Sequence, residues 1–255
     1  MAAGLEVSID DGLATVTLCR KGGNRLSWAL LGALHDTARD LAERAAVRAV
    51  LLTAQGRDFS RGADLTDADL AERMRTDAGR AVADLGRRLI DAWAELPQPT
   101  VAGLRGWVVG GAVGLALACD LRIAAPDTRF SLPEIDRAMH LGWGIIPRLV
   151  AEFGPHTARW LALTGESIAA DRLPVGAVHV DGAVVRDAAA LARDLADKPP
   201  LAARSIKATL RAASDAHLDA ARDDAAHFAT TVQSRDFAEG IAAFFEKRAP
   251  RYEGR

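Results

Sequence analysis

Three short stretches concentrate residue types that do chemistry without a metal. The segment RGWVVGGAVGLALACD (residues 105–120) carries four glycines between positions 106 and 114 and runs into an alanine-rich segment of helical character. Glycine between a strand and a helix lets a ligand approach the backbone and leaves the first helical N–H groups free to face negative charge. In GRDFSRGADL (56–65) a second apolar strand turns through Gly62 and Ala63 towards a helix. In RFSLPEIDRAMHLGWGIIPRL (129–149) a carboxylate, Glu134, follows a proline inside an apolar run. Free amides suit an oxyanion, and a carboxylate beside them suits proton transfer. Each stretch alone also has a plain structural reading: glycines allow tight packing, and acidic residues favour first helical turns.

Other chemistries lack their residues. The glycine order is GxxxGGxxG, which is not the dinucleotide fingerprint GxGxxG, and no GK[ST] follows to make a phosphate-binding loop. None of the six histidines forms HExxH and no GxSxG is present, so metal and serine-hydrolase mechanisms have no candidates. The two cysteines, Cys19 and Cys119, lie far apart without a CxxC pair, so no disulfide framework or structural zinc site is expected.

The elements that must position these stretches can be read from periodicity. Residues 5–9 and 13–19 alternate apolar and polar around Asp10-Asp11-Gly12, a β-hairpin pattern. A helical repeat from Trp28 to about Ala45 leads into VRAVLLTA, an all-apolar run suited to a strand buried on both faces. A second helical segment from about Asp67 to Leu96 ends at Pro97 and Pro99, and PTVAGLRG gives another buried strand directly before the glycine cluster. This alternation predicts an α/β fold with a largely parallel sheet. From about residue 185 the pattern is nearly all helical, with one apolar face each over 187–196, 201–213, 218–231 and 236–247. The expected organisation is a core over 1–195 and a helical appendage over 196–255. With 255 residues, 49% of them hydrophobic and 26% charged, and a net charge of −2, the chain is large enough for a sizeable core. Nothing in this balance points to nucleic acid or a membrane as partner, and a cytoplasmic protein is the expectation.

In combination, order and spacing of FSRGAD, GWVVGGA and PE resemble the crotonase family, the enoyl-CoA hydratase/isomerase superfamily, over nearly the whole chain. The resemblance implies the crotonase (ClpP-like) spiral of β-β-α turns with a C-terminal helical trimerisation region, and a homotrimer or dimer of trimers. It implies an acyl-CoA thioester substrate and no cofactor beyond the coenzyme A moiety of that substrate. The family's two oxyanion-hole amides fall on Ala63 and Gly111. Coenzyme A contacts fall on Arg20, Lys21, Arg25 and Arg61, with Phe244 and Lys247 of the C-terminal AFFEKR segment approaching across a subunit boundary.

The sequence departs from the family's hydratases at one decisive place. Those enzymes hold water between two glutamates; the PE glutamate is present as Glu134, whereas the position three residues beyond Gly111 is Gly114. A missing acid–base group of this kind commonly removes a factor of about 10² to 10⁴. Moving a double bond needs only one group that takes a proton from one carbon and returns it to another. The expectation is therefore enoyl-CoA isomerisation by Glu134, with hydration or non-catalytic acyl-CoA binding as alternatives. Eight residues after Glu134, where the family's dienoyl isomerases and dehalogenases carry an aspartate, stands Gly142. His140 and Trp143 are expected to line an unusual acyl pocket together with Gly114 and Gly142.

Overall fold

In a computed structural model, residues 3–174, 177–178, 183–215, 228–229 and 231–251 are described. Strands β1 (Leu5–Asp10) and β2 (Leu13–Leu18) form the expected hairpin, with Asp11 and Gly12 both at positive φ in the two-residue turn. Parallel to β2 then follow β3 (Ala49–Ala54), β4 (Thr100–Leu104), β6 (Leu121–Ala124) and β9 (Ala177–Val178), giving a six-stranded sheet. All six residues of β3 and all five of β4 are buried, because helices cover both faces. Helices α1 (Trp28–Glu43) and α3 (Arg80–Ala94) pack against each other over the main core, where Leu30, Leu34, Leu52 and Trp93 are inaccessible. On the other face lies α6 (Val184–Ala196), whose Ala188 and Ala192 meet Leu51, Val101 and Ile123 in a second cluster.

A smaller layer decides where the site forms. After β2, β3, β4 and β6 the chain crosses to this layer and only then enters a helix. Leu26 follows β2 and precedes α1, and the Ser60–Ala63 segment follows β3 and precedes α2 (Ala68–Arg75) and α3. Strand β5 (Trp107–Val109) follows β4 and precedes α4 (Gly111–Leu117). Strand β7 (Arg129–Ser131) follows β6 and precedes a short 3₁₀ turn (Ile135–Arg137) and α5 (Ile145–Thr164). Leu26 bridges Ala63, Ser60 bridges Val108, and Val109 pairs with Ser131, all in parallel. Strand β8 (Ile168–Ala169) closes this layer against β7. This is the spiral of β-β-α turns that the resemblance implies.

The long helix expected over 67–96 is two helices. Ala78 (φ 53°, ψ 32°) and Gly79 (φ 68°) are left-handed, which stops α2 and starts α3 in a new direction. Helix α5 is likewise interrupted, at Gly154 (φ 78°, ψ 161°) before Pro155. In the C-terminal part, α7 (Pro200–Asp215) and α8 (Arg235–Glu246) agree with two expected helices, while most of the one expected over 218–231 lies outside the described residues. Among the described residues no helix is long and apolar enough to cross a membrane.

Candidate active site

Three neighbouring spiral turns leave the small layer at the same edge, and each presents one of the expected site residues there. Ala63 comes three residues after Ser60, Gly111 three after Val108, and Glu134 three after Ser131. The turns are fastened side by side by hydrogen bonds from Val109 N to Ser60 O (3.1 Å) and from Gly110 N to Ser131 O (2.9 Å). Gly62 (φ 77°) must lack a side chain, since a Cβ there would stand 2.9 Å from Val109 O.

The backbone leaves two amides available. Leu26 N donates to Gly62 O and Asp64 N donates to Leu26 O, so the Ala63 N–H between them has no partner among the described residues. Gly110 adopts φ 56° and ψ −126°, a conformation open to glycine, and thereby starts α4 abruptly at Gly111. The first N–H groups of a helix have no acceptor in their own helix, and the Gly111 amide has none elsewhere among the described residues.

Glu134 stands beside both. Its main chain is held by hydrogen bonds that its carbonyl accepts from Arg137 N and Met139 N, each 3.0 Å. Its carboxyl is buried, and Oε2 has no hydrogen-bond partner among the described residues. Burial pushes the carboxyl up to about 7, against smaller opposing effects of a backbone hydrogen bond and the Arg137 charge. A carboxyl poised near neutrality both takes and returns a proton readily.

Two cavities meet at Ala63 and Glu134. The outer one, of about 390 Å³, is lined by Arg25, Arg61, Trp107, Arg137, Phe244 and Phe245 among others. Arg61 lies over the Trp107 ring (5.1 Å) and donates to Asp58 Oδ2 (2.7 Å). The inner one, of about 40 Å³, is bounded by Gly111, His140, Gly142 and Trp143 and otherwise by apolar side chains. Among the described residues Glu134 is the one carboxylate on its lining.

Several expected site residues stand elsewhere. Arg20 does not line the outer cavity; its guanidinium pairs with buried Asp64 (2.7 Å) and donates to Arg25 O. Burial opposes the Asp64 charge, but hydrogen bonds from Thr66 and Arg20 hold its carboxyl below the usual range. Lys21 is exposed in the turn that follows Arg20, and Lys247 caps α8 in a left-handed conformation, neither on the described lining of the two cavities. Gly114 is not on the inner lining either. A Cβ there would lie 2.8 Å from Ile145 Cγ1 and 3.4 Å from Ile90 Cδ1, so two isoleucines fill the place that a longer side chain would need.

Phe244 lines the outer cavity of its own chain. The reason is Gly240, whose lack of a side chain seats α8 directly on the Arg137 backbone, where a Cβ would lie 2.9 Å away. The Arg137 guanidinium lies 4.6 Å from the Phe244 ring centroid and donates to Pro133 O (2.6 Å). Sequence reasoning missed Arg137, Met139, Phe245 and Gly86. Arg137 had a signal, a cation one helical turn beyond Glu134; Gly86 had another, a glycine on the buried face of an amphipathic helix.

Comparison with known proteins agrees with this geometry. A family profile described as enoyl-CoA hydratase/isomerase matches residues 8–255. The 2,3-dehydroadipyl-CoA hydratase of Escherichia coli (strain K12) is 32% identical over 98% of this chain and 99% of its own. The mitochondrial methylglutaconyl-CoA hydratase of Homo sapiens is 32% identical over 91% of this chain and 71% of its own. Among solved structures, an enoyl-CoA hydratase from Mycobacterium avium subsp. paratuberculosis K-10 superposes with a TM-score of 0.88 at 27% identity, covering 98% of this chain and 99% of that one. The chain therefore belongs to the enoyl-CoA hydratase/isomerase family, within the crotonase superfamily.

Proposed function

We propose that the protein is an acyl-CoA enzyme that shifts a double bond, converting a 3-enoyl-CoA into a 2-enoyl-CoA with Glu134 as its acid and base. One observation carries this reading: among the described residues Glu134 is the single carboxylate on the inner cavity, and the place of a second beside Gly114 is filled by Ile145 and Ile90. The thioester oxygen accepts hydrogen bonds from the Ala63 and Gly111 amides. Glu134 removes a proton from C2, the electron pair spreads through the C3–C4 double bond and the carbonyl, and the two amides stabilise the resulting dienolate. One such donor is typically worth about 3 to 4 kcal/mol of barrier. Glu134 then returns the proton to C4, which leaves the double bond between C2 and C3. The outer cavity takes the coenzyme A arm, with Arg25 and Arg61 towards its phosphates.

Hydration is the second reading, favoured by the hydratase names of the relatives. But-3-enoyl-CoA and crotonyl-CoA separate the two. The isomerase reading expects turnover of the first, lost in Glu134→Gln, and little hydration of the second. Hydration of crotonyl-CoA faster than isomerisation of but-3-enoyl-CoA would replace it. Tight binding of both esters with turnover of neither would leave a binding protein. We further propose assembly as a homotrimer or a dimer of trimers, consistent with the exposed apolar residues of α7.

A further inference from the structure

The inner cavity ends on Trp143. This residue is buried at 8% exposure although its backbone is left-handed (φ 64°), a conformation uncommon for a bulky side chain. Its ring rests on two glycines of different helices, Gly86 of α3 and Gly111 of α4, and a methyl group on either would overlap the ring. The following residue is held as firmly. Arg148 Nη1 donates to Gly144 O (3.1 Å) while Arg148 Nη2 pairs with Asp91 Oδ1 (2.9 Å), and Arg87 Nε pairs with Asp91 Oδ2 (2.7 Å). Helix α3 thus supplies both the recess for the ring, at Gly86, and the carboxylate clamp for the turn, at Asp91. The wall is part of the packed core.

Between this wall and Glu134 remain about 40 Å³, enough for about three water-sized groups. Leu70, Met74, Val82, Leu141 and Phe228 bound this space, and no lysine or arginine is on its described lining. Resting on the acyl-CoA reading above, we infer that Trp143 determines substrate specificity: it ends the acyl pocket, so that the site takes short, uncharged acyl groups of about four carbons. A longer chain meets the ring, and a terminal carboxylate would be buried mostly among apolar side chains, with no lysine or arginine and only the His140 imidazole on the described lining to meet it.

Calorimetric titration with saturated thioesters, which offer no double bond to react, tests this. The probes are acetyl-, butyryl-, octanoyl- and succinyl-CoA, titrated into the full chain and into Trp143→Gly, which removes the ring and suits the left-handed backbone. Unmodified protein should bind butyryl-CoA best, with octanoyl- and succinyl-CoA each weaker by about tenfold or more. Trp143→Gly should bring octanoyl-CoA to within about threefold of butyryl-CoA and leave succinyl-CoA weak. Trp143→Phe, which keeps a ring in the recess, should give an intermediate preference and covers the case in which the glycine variant does not fold. Equal affinity of the unmodified protein for butyryl- and octanoyl-CoA would overturn the role of Trp143 while leaving the acyl-CoA reading intact. So would an unchanged preference in the folded variants. Failure of every thioester to bind, acetyl-CoA included, would overturn both.

Discussion

The Glu134 carboxyl lies against the Cα of Gly110, so closely that a methyl group on Gly110 would stand 2.5 Å from Oε1. The glycine therefore has two duties, an unusual backbone at φ 56° and ψ −126° and an open flank for the Glu134 carboxyl. Gly110→Ala should violate both. Strain of this kind costs about 1–3 kcal/mol, and displacing a catalytic group by roughly 1 Å costs about 10² in rate. Urea unfolding together with the but-3-enoyl-CoA assay checks this. A variant of unchanged stability and rate would show that Glu134 does not depend on this contact.

Burial of Glu134 also predicts how rate and stability change with pH. On the proposed mechanism the base form of Glu134 removes the C2 proton, so kcat/KM should rise about tenfold per pH unit up to the carboxyl's value of about 7 and level off above it. Stability should move the other way. In the unfolded chain the carboxyl ionises near its ordinary value of 4.5, whereas the folded protein keeps it protonated up to about 7. The relative stability is fully present below about 4.5 and is lost as pH rises through about 7, on the order of 3 kcal/mol in total. Glu134→Gln should abolish this loss, so its advantage in Tm over the unmodified protein should grow from pH 4.5 to 7. Parallel stability curves for the two proteins would count against a buried, neutral carboxyl.

Gly114 marks more than a missing carboxylate, because its neighbourhood has been rebuilt around it. Gly114→Glu should not create a hydratase. Its Cβ would press on Ile145 Cγ1 at 2.8 Å, and the carboxylate would be driven into an apolar recess. Overpacking alone costs about 1–3 kcal/mol, and for a chain of this size each kcal/mol lowers Tm by about 2–4 °C. Gly114→Glu combined with Ile145→Ala clears part of that space and is the variant expected to gain crotonyl-CoA hydration. A folded single variant that hydrates crotonyl-CoA about tenfold faster than the unmodified protein would refute the steric account.

Local rules made much of this fold legible. The hairpin at Asp11-Gly12, the buried run of β3 and the strand-glycine-helix passages at Ala63 and Gly111 follow from alternation, apolar runs and turn chemistry. The break at Ala78–Gly79 was readable in principle from its glycine, but amphipathic periodicity on both sides hid it. The site was legible only as far as single residues carry it. Arg20 and Arg61 look alike in sequence, yet only Arg61 is on the described lining of the outer cavity, while Arg20 is spent on its ion pair with Asp64. The Trp143 wall depends on Gly86, Gly111 and the Arg148–Asp91 clamp meeting from three helices, and no local pattern encodes such a meeting. Similarly, nothing around Gly114 in sequence shows that Ile145 occupies its space.

The described part of the C-terminal region makes a prediction about assembly. Helix α7 is fixed to the core through Lys207, whose ammonium pairs with Asp120 Oδ2 (2.7 Å) and donates to Gln98 O (2.9 Å). That anchor sets the rotation of the helix and leaves Leu201, Ile206 and Leu210 at 81, 60 and 65% exposure. Ile206 and Leu210 also border a groove of about 780 Å³ beside α3 and α5. Apolar surface costs about 25 cal/mol per Å² while it remains in water, so a face of this kind is expected to be covered by another copy of the chain. Light scattering after size exclusion should give a mass of three chains or six. Ile206→Asp with Leu210→Asp should give single chains that keep the far-ultraviolet circular dichroism of the unmodified protein, because both side chains are largely exposed in the single chain. A monomeric unmodified protein, or an assembly that survives both aspartates, would assign this face no part in oligomerisation.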